Sequence, residues 1–132
     1  MHIVWLYAAL LALLFFGLSF RTLTLRRRLR IVIGDAGDER MLRAMRVHSN
    51  FAEYVPLNLL LMYFVASTAP QPWFLHGLGI CILLGRVLHA VGVSQVRERY
   101  AFRVAGMALT FTPMLASALR LLAAYGRQAA GA

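Results

Sequence analysis

Residues 1–20, MHIVWLYAALLALLFFGLSF, contain no Asp, Glu, Lys or Arg. A bilayer hydrocarbon core of about 30 Å is crossed by about 20 apolar helical residues, so this run alone is long enough to span a membrane. It has no basic residue before it and its arginines come after it, the reverse of a cleaved secretory leader, and it reads as a retained transmembrane helix. Two further charge-free runs follow, residues 54–85 and 104–119. Together the three runs leave too little polar surface to cover a globule in water. The 132 residues are 61% hydrophobic and 14% charged, with mean hydropathy +0.68, which excludes a water-soluble single-domain enzyme. The expected architecture is one domain, residues 1–132, folded as an all-α integral membrane four-helix bundle.

All fourteen basic residues are arginine, against five acidic residues, for a net charge of +9. Such a balance would suit nucleic acid, but the arginines stand in short stretches beside apolar segments. That is where the positive-inside rule and anionic headgroups place them, so membrane lipids are the expected partner and nucleic acid is not. Cys81, the single cysteine, lies inside an apolar run and reads as a small buried hydrophobe.

Working outward, the first helix is expected over about 3–25, ending in Arg26, Arg27, Arg28 and Arg30. Gly34, Asp35, Gly37 and Asp38 supply turn chemistry, with Asp38 as the N-cap of a second helix running to about Ser67. Pro56 removes one backbone donor within it. Pro70 and Pro72 mark a charge-free connection. A third helix follows from Trp73 to about Val93, and a fourth from about Ala101 to Tyr125, with Pro113 tolerable inside a bundle. Residues 126–132 read as a frayed tail. The connections after helices one and three hold the arginines and the middle one holds none, which predicts both termini on the non-cytoplasmic side.

Ionisable groups in a helix entering the bilayer call for an explanation. Arg46, Asn50 and Glu53 are spaced four and three apart, which confines them to a sector of about 60° with Arg43 on the same stripe. His48 lies about 200° from Arg46 and faces a different neighbour. The ladder is either structural glue, an Arg46–Glu53 pair bridged by Asn50, or a site for an anionic or zwitterionic ligand. On helix three, Arg86, His89 and Gly92 share a face, and Arg103 and Gly106 open helix four. His89 could equally be a packing histidine. No metal-ligand spacing is present.

The stretch Arg46-Val47-His48-Ser49-Asn50-Phe51-Ala52-Glu53-Tyr54-Val55-Pro56 resembles the signature of the membrane-associated proteins in eicosanoid and glutathione metabolism, the MAPEG family, in particular its small bacterial inner-membrane branch. The resemblance covers nearly the whole chain. It implies a homotrimer of four-helix subunits binding glutathione as co-substrate between neighbours near the cytoplasmic surface. Arg46, Asn50, Glu53 and Tyr54 would hold glutathione from one subunit, with Arg86 and His89 in the same shell. His48 and Arg26 would reach in from the next. Arg103, in preference to Arg97 or Arg99, would face the thiol as the catalytic residue. Two tyrosine positions of the leukotriene synthase branch are His89 and Val93 here. The implied activity is glutathione transfer or peroxide reduction on a lipophilic electrophile or lipid. The alternatives are a non-catalytic lipid-binding or scaffold protein of the same fold and, more weakly, a small proton-coupled exporter, whose glutamate belongs in the first helix.

Overall fold

A computed structural model describes residues 1–97 and 99–131; Glu98, in the third connection, and Ala132 lie outside the described residues. Four helices follow one another, α1 (His2–Leu29), α2 (Glu39–Ser67), α3 (Pro72–Ser94) and α4 (Tyr100–Ala130), and the described residues contain no strand. α1, α3 and α4 are each long and apolar enough to cross a membrane, and the chain is an integral membrane protein. α2 is as long as the others, but its first half carries Glu39, Arg40, Arg43, Arg46 and Glu53. It becomes charge-free only after that point, and this polar half is what builds the site.

The helix ends depart from the expected ones at three places. α1 continues through Arg26, Arg27 and Arg28 to Leu29, because basic side chains in a last turn complement the C-terminal end of the helix dipole. It stops at Arg30, whose left-handed backbone (φ 54°) lets the following amide of Ile31 close on Arg26 O at 3.1 Å, a turn that satisfies the last carbonyls. Residues 126–130, expected to fray, remain helical; Arg127, Gln128 and two alanines are good helix formers, and Gly126 alone does not stop them. α3 begins one residue early with Pro72 at its first turn, where the missing N–H costs nothing. Asp38 caps α2 as expected, accepting from the amides of Arg40 at 2.9 Å and Met41 at 3.1 Å. The Arg40 guanidinium, hydrogen-bonded to the Asp38 carboxylate, and the Met41 amide hold its pKa down to about 2. The cap is therefore complete above the ordinary carboxylate range and is lost as pH falls through about 2.

The core is a set of helical stripes. Ile3, Val4, Tyr7, Leu11 and Leu18 of α1 pack on Val47, Phe51, Val55, Met62 and Val65 of α2 and on Leu75, Leu78 and Ile82 of α3. Large apolar side chains cover the outside as well, among them Trp5, Leu13, Phe16 and Phe20 on α1 and Leu115, Leu119 and Leu122 on α4, which is the surface of a protein solvated by lipid. α1 and α3 are latched near their far ends, where Tyr7 Oη lies 3.0 Å from His76 Nδ1 and the Tyr7 ring fills the space a side chain at Gly79 would need.

The closest helix pair is α3 with α4, and small residues set its spacing. A Cβ at Gly106 would stand 2.6 Å from the His89 amide nitrogen and 2.7 Å from Gly85 O, and one at Gly92 would stand 2.7 Å from the Arg103 amide nitrogen. All of these are backbone atoms. Glycines therefore let the two helices touch main chain to main chain, which brings the start of α4 beside the end of α3.

Candidate functional site

The starts of α2 and α4 and the end of α3 meet at the arginine-rich end of the bundle. Between them opens a pocket of about 440 Å³ lined by Glu39, Leu42, Arg43, Arg46, Ser49, Asn50, Glu53, His89, Val93 and Arg103. That volume falls in the ordinary range for small-molecule sites. The spacing argument for the ladder holds: Arg43, Arg46, Asn50 and Glu53 lie along one wall. His89 and Arg103, placed on the opposite wall by the glycine contacts, complete it.

The charges in the pocket are unequally committed. Arg43 is held by Glu39 at 2.8 Å, one turn back, and donates to Val93 O at 3.3 Å. Arg46 and Glu53 form no ion pair with each other, and each is exposed on this single chain. Of the two readings the sequence leaves open, the Arg46–Glu53 pair is absent, and two opposite charges remain available to a ligand.

The glue sits one layer deeper and involves a different arginine. Arg86 is 2% exposed, and its Nη1 donates to Asn50 Oδ1 at 2.6 Å while its Nη2 donates to Thr110 Oγ1 at 2.5 Å. Its guanidinium lies 5.8 Å from the centre of the Tyr54 ring, which in turn packs edge-on against Phe111 at 5.4 Å. Arg86 and Tyr54 therefore lie beneath the pocket and do not line it. Arg86 fixes the orientation of the Asn50 amide, since a guanidinium can only donate and must face the oxygen. The Asn50 Nδ2 hydrogens are left to donate elsewhere.

Arg26 and His48 come together on the other side of α2. They line a second groove of about 460 Å³ with Thr22, Leu42, Met45, Arg46 and Ser49, so the two hollows share Leu42, Arg46 and Ser49. His48 faces α1, as its angle predicts, stacking on Phe15 at 4.7 Å with its Nε2 3.0 Å from Ser19 Oγ. Arg26 has a local duty that spacing could not reveal: its Nη1 donates to the carbonyls of Ile31, Val32 and Gly34 at 3.1 to 3.3 Å, tying down the loop after α1. Of the three arginines considered for the thiol, Arg103 alone lines the pocket; Arg97 is exposed and Arg99 packs over Phe102 at 5.6 Å. Ser49 and Val93 also line the pocket. Ser49 lies three residues from Arg46 on the ladder's edge, a spacing that could have identified it.

The MAPEG family model matches residues 4–123. The chain is 36% identical over 110 residues to the inner membrane protein YecN of Escherichia coli strain K12, an alignment covering 83% of this chain and 82% of that protein. The protein of the same name from Escherichia coli O6:H1 strain CFT073 matches to the same extent. No solved structure matches the chain.

Proposed function

The chain belongs to the MAPEG family, and from that membership we propose that it is a glutathione-binding inner-membrane protein, a transferase or peroxidase acting on lipophilic electrophiles as a homotrimer with both termini outside the cytoplasm. The observation that carries this reading is the pocket wall on which Arg46 and Glu53 stand unpaired on either side of Asn50. Glutathione offers two carboxylates and one ammonium. Arg46 suits a carboxylate through charge-assisted hydrogen bonds, Glu53 suits the ammonium, and the oriented Asn50 amide donates to a peptide carbonyl. Arg103 faces this wall and supplies a permanent positive charge for the thiol sulfur.

The pocket is open along α2, and the Arg26–His48 groove continues from it across Leu42, Arg46 and Ser49. Two charges exposed at membrane depth on a lone subunit would be costly in lipid. A neighbouring subunit closing over this face removes that cost and makes the ligand shared. The apolar partner reaches the same site from the bilayer, past the exposed Leu57, Leu60 and Phe111.

The test is calorimetric titration of the solubilised protein with glutathione, comparing the native chain with Glu53→Gln. The substitution keeps the shape and removes the charge that meets the ammonium. A charge-assisted hydrogen bond contributes about 1.5 to 3 kcal/mol, so affinity should fall by roughly tenfold or more. Equal binding by both would remove Glu53 from the ligand shell and overturn the reading.

A further inference from the structure

A third hollow lies away from both grooves, between α1 and the chain that leaves α3. It has a volume of about 550 Å³ and is lined by Phe20, Arg21, Thr24, Leu25, Arg28, Arg40, Ser94 and Val96. Arg21, Thr24 and Arg28 are spaced three and four apart and so lie along one stripe of α1. Arg26, turned about 140° from Arg21, serves the opposite face. None of the residues lining this hollow lines the pocket that holds Glu53.

Three features define its occupant. The first is charge: among the described residues three guanidiniums border the hollow and no carboxylate does. Arg40 is already paired with Asp38 at 2.7 Å, but Arg28 has no partner among the described residues, and Arg21 spends only Nη1, on Ser94 Oγ at 2.5 Å. That bond fixes the half-buried Arg21 side chain in the hollow with its other N–H groups uncommitted. The second is depth. Arg21 is the first charged residue after a twenty-residue apolar run, so it stands where hydrocarbon gives way to headgroups. The third is the mixed wall, in which Phe20, Leu25 and Val96 offer apolar surface beside the cations.

We propose that this hollow is a binding site for an anionic phospholipid, with Arg21 and Arg28 taking the phosphodiester and Phe20, Leu25 and Val96 packing against the upper acyl chain. Paired arginines bind phosphate oxygens with charge-assisted, directional bonds, and a leaflet with anionic lipids supplies the ligand in place. The site does not depend on glutathione binding. It fixes α1 to the end of α3 on the side that lipid solvates, where the direct link between them is Arg21 to Ser94.

Native mass spectrometry of the solubilised protein with equal amounts of dioleoylphosphatidylglycerol and dioleoylphosphatidylcholine tests the proposal. The native chain should retain the phosphatidylglycerol. Arg21→Gln and Arg28→Gln should each lower its retention by about tenfold, the weight of one charge-assisted hydrogen bond to the phosphodiester. Arg27→Gln makes the same charge change one residue away, outside the hollow, and should leave retention unchanged. Arg28 makes no bond to another described residue, so its replacement reads binding even if Arg21→Gln disturbs folding. An equal loss in Arg27→Gln would reduce the effect to diffuse charge. Equal retention of the two lipids, or full displacement by glycerol phosphate, would each overturn the proposal, the latter in favour of a soluble phosphate compound.

Discussion

Gly106→Ala should strongly destabilise the protein. The new Cβ would stand 2.6 Å from the His89 nitrogen and 2.7 Å from Gly85 O, and neither backbone atom can swing aside as a side chain would. The helices must separate, and overpacking of this kind costs about 1 to 3 kcal/mol or more. Separation would also lengthen the bond from Arg86 to Thr110 and move Arg103 away from the α2 wall, so glutathione binding should fall with stability. Gly126→Ala is the matched control: nothing lies within 4 Å of its Cβ position, and Ala is favoured over Gly in a helix by about 1 kcal/mol. Thermal unfolding of the two solubilised variants should therefore shift in opposite directions. If Gly106→Ala melted with the native chain, the close approach of α3 and α4 would not be what holds the pocket together.

The second large effect concerns the thiol. On the proposed reading, Arg103→Leu should abolish glutathione-dependent turnover while leaving most glutathione affinity in place, because Arg46, Asn50 and Glu53 would make the binding wall without it. Arginine keeps its charge at any working pH, and a positive charge beside a sulfur favours the thiolate, which is the nucleophile. Arg97→Leu, on the exposed connection, should leave turnover unchanged. Loss of binding in Arg103→Leu would make this arginine a carboxylate ligand, and unchanged turnover would remove it from the chemistry.

Local signals carried the sequence reading a long way. The charge-free runs mark α1, the α2–α3 pair and α4, Asp38 is recognisable as a cap from the turn residues before it, and the four-three spacing of Arg46, Asn50 and Glu53 puts them on one wall. What escaped was everything whose partner is distant in the chain. Arg86 and His89 share a face of α3, but only the packed bundle shows that Arg86 turns inward to Asn50 and Thr110 while His89 reaches the pocket. Arg26 lines the groove beside His48, yet its guanidinium also closes the loop at Ile31, Val32 and Gly34, next to the left-handed turn at Arg30. Asn50 does take part in a structural contact between helices, but with Arg86 and not with Arg46, because spacing along one helix cannot report which charge a second helix will cover. The last turns of α4 are missed for the opposite reason: their stability comes from local propensity, which leaves no apolar periodicity in the sequence.

The most direct measurement is the ultraviolet difference absorbance of the thiolate when the native, solubilised protein is mixed with glutathione at neutral pH. Free thiol, with a pKa of about 8.5, is only a few per cent ionised there, and two units of depression raise the thiolate to roughly three-quarters of the bound population. The account predicts a saturable thiolate signal that tracks calorimetric binding and disappears in Arg103→Leu. Saturable binding with no thiolate signal in the native protein would contradict catalysis and leave a binding protein built on the same fold.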